Sequence, residues 1–348
     1  MRPVYWKLAR HAGVLAAWRW KNRHSIIILT AHGVMDNGDS VGWRPLWNRL
    51  QVEQFERVLR VLQPYYEFVT LSEAARMLRG ELPIRPHCMA LTFDDGYRNN
   101  FTHALPVLER LGIPATFFIC TGMIGTRRGF WVDRLDYAIQ HMPPRERIVP
   151  VGSESVVLCY ENREALAASY LKLRLALKQS AGTGFDELVD ELACEFEQEA
   201  GTSLDDVIDV DPWASCMSWD EVESARRRGI EIGSHTIDHV RLTHVDANSV
   251  WNQLAGSRAE IERQLSVECM SVAYPNGDYT VSVAHIACRA GYLCAVTTET
   301  GVNRIGDNML ALRRIDFPTV QNSDHILGLV SGLQSAVAQL LSRRTGWR

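Results

Sequence analysis

The stretch Leu91-Thr92-Phe93-Asp94-Asp95-Gly96-Tyr97 limits what this chain can fold into more than any other. From Cys88 to Phe93 the side chains are apolar apart from one threonine, the pattern of a strand buried on both faces. The run ends abruptly in two adjacent carboxylates and a glycine able to make a sharp turn. Open and barrel-shaped α/β folds carry their chemistry at the carboxyl ends of such strands. Neighbouring carboxylates repel, so a protein that holds them together usually supplies a cation for them to share. Taken alone, Asp-Asp-Gly also reads as an ordinary turn.

A second stretch of the same design shifts the balance. Glu231-Ile232-Gly233-Ser234-His235-Thr236-Ile237-Asp238-His239 is again a short apolar strand running into polar groups. His235 and His239, four residues apart, can meet across one helical turn or a tight loop, which suits a divalent metal. A third run, Ser25 to Ala31, is rich in β-branched residues and delivers His32 and Gly33 at its end.

Between these runs the periodicity changes. Val52 to Leu62 has helical spacing of apolar residues, Tyr66 to Leu71 reads as a short strand, and Ser72 is placed to cap a helix over 73–79. Pro83 and Pro86 break the chain before the carboxylate strand. Asn99 to Leu111 continues as helix and Ile113 to Ile119 as the next buried strand, and this alternation argues for a parallel sheet, closed or nearly so. Later, Ser218 caps a helix that Gly229 stops, and Asp246 to Leu265 is amphipathic. Met309 to Phe317 reads as a strand, and Ile326, Val330, Leu333, Val337 and Leu340 share a helix face, with Arg343 and Arg344 at its carboxyl end.

Regularity fails between Thr126 and Ser215. That block holds β-like pieces around Val149 and Val156 to Tyr160 and helical runs over 164–179 and 185–199. The expected organisation is an N-terminal helix over 1–24, a barrel from 25–125 with 216–348, and a helical insertion at 126–215. Placed after a strand's upper end, the insertion can cap the site and help to choose the substrate.

Thr92-Phe93-Asp94-Asp95-Gly96 together with Ser234-His235-Thr236-Ile237-Asp238-His239 resembles the first two motifs of the NodB-type polysaccharide deacetylases, carbohydrate esterase family four. The resemblance covers about residues 26–125 and 216–318. It implies an α/β fold of the distorted (β/α)7-barrel type with a largely helical insertion. By the same resemblance Asp95, His235 and His239 hold a divalent metal and Asp94 is the general base. His32, on the first strand, takes the place of the general-acid histidine in permuted members. Val272-Ala273-Tyr274-Pro275-Asn276-Gly277 resembles the third motif but departs from it: many members have an arginine where Ala273 stands and a tyrosine where Asn276 stands. The absent arginine normally orients the catalytic carboxylate. Arg313 and Arg314 are candidates to replace it, with Arg314 preferred, and Tyr274, Pro275 and Asn276 are the expected substrate and oxyanion contacts.

The resemblance implies removal of an N-acetyl group from an amino sugar in a glycolipid or surface-polysaccharide precursor. Zinc is the first expectation for the metal, and nickel, cobalt, manganese and iron also suit a carboxylate and imidazole shell. In the best zinc cases such a site lowers the pKa of water to about 7. His32 must be charged to protonate a leaving amine; His103 and His325 are the fallback acids. Two other readings remain: a metal-dependent amidase acting on a small non-sugar amide, and a non-catalytic carbohydrate-binding relative.

At 348 residues the chain has room for one large barrel with an insertion or two smaller domains. Its net charge of -4 gives no sign of a nucleic-acid partner. The eight cysteines form no CxxC pair and mostly sit in apolar runs, as reduced thiols of a cytoplasmic protein do. No early segment reads as a secretory signal, and no run is long enough for a transmembrane helix. Pro3 to Arg23 is basic and rich in tryptophan, so its helix either packs on the domain or lies peripherally on the inner membrane face, where a lipid-linked sugar would be met.

Overall fold

The apolar runs become parallel strands: β1 (Ile27–Ala31), β2 (Glu67–Val69), β3 (Cys88–Phe93), β4 (Thr116–Ile119), β5 (Glu231–Ser234), β6 (Ser271–Ala273), β7 (Cys294–Thr300) and β8 (Leu312–Asp316). The structure, a computed structural model, describes residues 6–7, 11–36, 38, 43–47, 50–180 and 184–333. Hydrogen bonding runs in the order β1-β8-β7-β6-β5-β4-β3-β2, and β1 also pairs with β3 from Ile27 opposite Met89 to Ala31 opposite Phe93. That last pairing closes a seven-strand ring. β2 pairs with the first half of β3, and β4 takes over where Thr92 meets Thr116. Two strands therefore share one edge of β3 in succession. The result is the distorted (β/α)7 barrel that the sequence resemblance implied.

Alternation along the strands sorts their side chains into two cores. Ile28, Ala90, Phe118, Ala273, Val296 and Leu312 cluster together inside the ring. Ile27, Leu29, Met89, Leu91, Phe117 and Ile232 face outward and pack with the surrounding helices. Those helices include α1 (Val52–Leu62), which buries Phe55, Val58, Leu59 and Leu62. α2 (Leu71–Leu78) adds Leu71, Ala74, Ala75 and Leu78 to the inner cluster and closes the N-terminal mouth of the ring. Thr70 caps α2 by accepting from the Glu73 N–H. Ser72, the expected cap, lies inside the first turn because β2 ends early, at Val69, and it donates its N–H and hydroxyl to Glu231 instead.

The helix expected from Asn99 begins as a π-helical turn over Asn100–Ala104 before α3 (Leu105–Leu111). In the second half of the ring, α4 (Trp219–Arg227) starts with a complete capping box between Ser218 and Glu221, and Asp246 caps α5 (Ala247–Leu265). The final described helix is Ser323–Val330. Its expected continuation through Val337, Leu340, Arg343 and Arg344 lies outside the described residues, as do residues 3–5 and 8–10 of the N-terminal helix. Helix Val14–Lys21 buries only Leu15 and leaves Trp20 65% exposed. Among the described residues no helix is long and apolar enough to cross a membrane. All eight cysteines are unpaired.

Between β4 and β5 the chain leaves the ring and builds a second core. Helix Trp131–His141, a hairpin of Arg147–Val151 with Glu154–Leu158, and helices Arg163–Ser180 and Phe185–Ala200 surround Leu135, Ile139, Leu158, Tyr170, Leu173 and Phe196. Leu46, from the segment after β1, belongs to the same core, and its N–H donates to Asp136 at 2.7 Å. A strut joins this unit to the ring: the Tyr97 hydroxyl donates to the buried Asp133 carboxylate at 2.6 Å. Tyr97 follows directly on the Asp94-Asp95-Gly96 turn, so the insertion is anchored at the motif itself.

Candidate metal and catalytic site

The site is assembled at the carboxyl ends of the strands, and the backbone there is unusual. Six described non-glycine residues have positive φ, and Asp95 (76°), Thr236 (71°), His239 (59°) and Asn276 (57°) are four of them. Left-handed backbone costs about 1–3 kcal/mol per residue and persists where the surroundings over-determine it. Here it turns polar side chains inward over the end of the ring. Gly96, at φ 82°, completes the first turn; a Cβ there would press on Ile119 and Ile124 at 3.2–3.3 Å.

Asp95, His235 and His239 converge. The Asp95 Oδ1 atom lies 3.4 Å from His235 Nε2 and 3.6 Å from His239 Nε2. One ligand atom from each residue falls within 4.8 Å of the other two. The imidazole rings are 4.9 Å apart between centroids. His235 Nδ1 sits 2.7 Å from the Ala273 carbonyl, an acceptor only, so Nδ1 carries the proton and Nε2 turns a lone pair toward the cluster. That backbone partner is the usual outer support of a metal-binding histidine. A carboxylate and two imidazoles with this orientation fit a divalent cation. Burial pushes the His235 imidazole down, but the Asp95 and Asp94 carboxylates outweigh it and leave it raised. His239 is held down to about 4, by burial first and then by the neighbouring His235.

Asp94, the first of the two aspartates, has a different partner. Arg314 forms two parallel bonds to it, Nη1 to Oδ1 and Nη2 to Oδ2, both 2.7 Å, with the arginine 2% and the aspartate 3% exposed. Burial alone would raise the Asp94 carboxyl, but the guanidinium overcomes this and holds it below the usual carboxylate range. The arginine is aimed by the sheet. Between β7 and β8 the register advances from Val296 opposite Leu312 to Thr300 opposite Arg314, so β7 carries extra residues there. The Thr297 carbonyl accepts from Arg314 Nε at 2.8 Å, while Arg314 Nη1 also reaches the Thr92 hydroxyl. Re-aiming a side chain is a common use of such a bulge. Arg313, on the opposite face of β8, pairs with Asp307 near the surface.

A cavity of about 270 Å³ opens over these groups. His32, exposed at the end of β1, lines it and meets the Trp47 ring edge-on at 6.5 Å. Tyr274 and Asn276 form part of the wall, with the Tyr274 ring stacked on Tyr279. Pro275 is buried in the turn between them and is not among the lining residues. Neither His103 nor His325 lines the cavity; His325 stacks on Trp6 instead. A second cavity of about 310 Å³ adjoins the first and shares Phe130, Trp131 and His239 with it.

Sequence reasoning passed over Trp47, Phe130, Arg174 and Lys178, which also line the first cavity. Lys178 Nζ donates to the Asn276 side-chain oxygen at 2.6 Å. The spacing of Arg174 and Lys178 puts them on one face of a helix, a signal present in the chain, but nothing local says what that face meets.

A family model described as polysaccharide deacetylase matches residues 83–162 and 190–295. YxkH of Bacillus subtilis, a polysaccharide deacetylase homologue, is 22% identical over 268 residues. The alignment covers 77% of this chain but only 65% of YxkH, less than two thirds of that protein's length. Among solved structures, the Streptococcus pyogenes deacetylase PplD in complex with acetate is 18% identical with a TM-score of 0.56, covering 88% of this chain and 98% of PplD. IcaB from Ammonifex degensii is likewise 18% identical, with a TM-score of 0.55 over 88% of this chain and 97% of IcaB. BC0361, a polysaccharide deacetylase from Bacillus cereus, is 16% identical with a TM-score of 0.55, covering 88% and 69%. At such identities the structural likeness speaks for the fold.

Proposed function

The chain belongs to the polysaccharide deacetylase family, and from that premise we propose that it is a metal-dependent hydrolase removing an N-acetyl group from an amino sugar. The single observation that carries this reading is the meeting of Asp95, His235 and His239 beside an Arg314-clamped Asp94 in one cavity. His32 and Arg314 lie outside the stretches matched by the family model, so their roles rest on geometry.

Asp95, His235 and His239 would hold the ion, zinc before nickel, cobalt, manganese or iron. When bound, a divalent metal supplies Lewis acidity toward the acetyl carbonyl and the attacking water. Asp94 accepts the proton of that water. Arg314 keeps the carboxylate ionised and points both of its oxygens, so the base is ready at neutral pH without reorganisation. His32, which lines the same cavity from the exposed end of β1, gives a proton to the departing nitrogen. The turn at Tyr274 and Asn276 borders the space where the oxyanion forms, and the Trp47 and Phe130 rings narrow it against water.

The substrate we favour is an intermediate of glycolipid or surface-polysaccharide synthesis, met in the cytoplasm or at the inner membrane face. Unpaired thiols throughout the chain and the exposed Trp20 of a basic helix support that placement. The test is acetate release from a panel of N-acetylated sugars and simple N-acetyl amines, with and without a chelator. Chelator-sensitive release from sugars is expected. Release from simple amines alone would point to a small-amide hydrolase, and sugar binding without release to a non-catalytic relative.

A further inference from the structure

We infer that the substrate carries an anionic group near its N-acetyl group, a phosphate ester or a carboxylate on the sugar, and that Arg174 and Lys178 hold it. The inference rests on the deacetylase reading above and deepens it. Both residues lie on helix Arg163–Ser180 of the insertion and line the cavity that contains Asp94, Asp95 and His32.

Elsewhere in the insertion, most arginines are neutralised by carboxylates, and Arg163 spends its donors on the Gln140 side chain and the Arg44 and Pro45 carbonyls. Arg134 pairs with Glu197 and Asp190, Arg145 with Glu199, and Arg147 with Glu195 and Glu199. Arg174 and Lys178 differ: among the described residues neither has a carboxylate within ion-pair distance. Arg174 Nε is buried without a hydrogen-bond partner. Its guanidinium is held by rings instead, 5.2 Å from the Trp47 centroid and 5.8 Å from that of Tyr170. Such stacking orients the planar fork and leaves its edge for an oxyanion, which guanidinium matches with two parallel bonds. Lys178 spends one of three donors on Asn276, and burial, followed by the Arg174 charge, lowers its pKa against the weaker opposing pull of the Asp95 and Asp278 carboxylates. Arg241 fixes this helix by donating to the Lys178 carbonyl at 2.9 Å while its own charge is met by Asp278.

The carboxylates of the cavity do not compensate these cations. Asp94 is matched by Arg314, and Asp95 carries one negative charge against the two of the divalent ion it would share. The cavity is therefore cationic on balance, and a neutral sugar leaves Arg174 and Lys178 partly desolvated with nothing to bind.

The test measures kcat/KM for acetate release from N-acetylglucosamine, its 1-phosphate and N-acetylmuramic acid. It uses the full chain as wild type, Arg174→Gln, Lys178→Met and the charge-keeping Arg174→Lys, with calorimetric binding of the same sugars to chelator-treated protein. The expected result is a preference for an anionic sugar over the neutral one that falls about 10- to 100-fold in each neutralising variant, mainly through KM, and recovers in part in Arg174→Lys. Which anionic sugar is preferred distinguishes phosphate from carboxylate. Melting curves confirm that each variant is folded, and Arg174→Lys serves where Arg174→Gln is not. Release and binding that ignore charge in the wild type, or a preference that survives both neutralising variants, would overturn the anion site and leave the deacetylase reading intact. Charge-selective binding lost in the variants, with no acetate released from any sugar, would support the anion site and sink the deacetylase reading.

Discussion

The two walls of the cavity are built on opposite principles. On the ring side the Asp94 charge is buried and answered, since Arg314 is 2% exposed and bonded to it twice, and Asp95 lies between two imidazoles placed to share a divalent ion with it. On the insertion side Arg174 and Lys178 are half-buried, held by aromatic rings and one amide, and have no carboxylate partner among the described residues. A wall whose charges are mutually satisfied is rigid and keeps its geometry with or without ligand. A wall with unmet charge is completed by what binds to it. On the proposed function, the ring would serve the reaction and the insertion the choice of substrate.

Variants on the ring side should break function outright. His235→Ala is expected to abolish both turnover and stoichiometric binding of divalent metal, read by elemental analysis after dialysis. Retained metal would show that the three side chains do not share an ion. Asp94→Asn keeps the metal but should lower kcat by about 10²–10⁴, the usual worth of a general base. His32→Ala should likewise spare the metal and cost a similar factor on substrates with poor leaving amines; an unchanged rate would remove His32 from the acid role.

Arg314→Met separates the walls on stability. Removing one partner of a buried pair leaves an uncompensated charge and costs about 3–5 kcal/mol, whereas loss of the Lys178 hydrogen bond should cost about 1 kcal/mol. Denaturant unfolding of metal-free protein gives both numbers, and equal losses would dissolve the contrast between the walls. The pH dependence has a definite sign. Arg314 holds the folded Asp94 carboxyl below its unfolded value of about 4. Its stabilisation is thus present above that value and is lost as pH falls through the lowered one. The gap in stability between wild type and Arg314→Met should therefore narrow on acidification. The smallest effect on turnover is expected at the strut between the walls. Tyr97→Phe leaves Asp133 short of one donor, costs about 1–3 kcal/mol of stability, and should raise KM more than it lowers kcat.

Much of the ring-side wall was legible in the chain because its parts are local. A parallel strand buried on both faces must be a continuous apolar run, and the residue that ends the run must sit at the strand's end. Asp94, Asp95, His235 and His239 each lie within a few residues of such a boundary. The helix cap at Thr70 was misassigned to Ser72 for a related reason: boundary positions depend on where the neighbouring strand stops pairing, and β2 stops at Val69.

What the amino-acid sequence determined by itself was the alternation of elements, the polar ends of the strands and hence the kind of chemistry the ring can carry. It left Arg313 and Arg314 as rivals, since adjacent residues of a strand differ only in the face they occupy. Arg314, two residues after the inward-facing Leu312, occupies the inner one, where the Thr297 carbonyl accepts from its Nε. Arg174 and Lys178 meet the cavity only because a helix some eighty residues from the motif folds back over it. Such juxtapositions are contacts between distant segments, decided by how two cores pack together, and no local pattern encodes them.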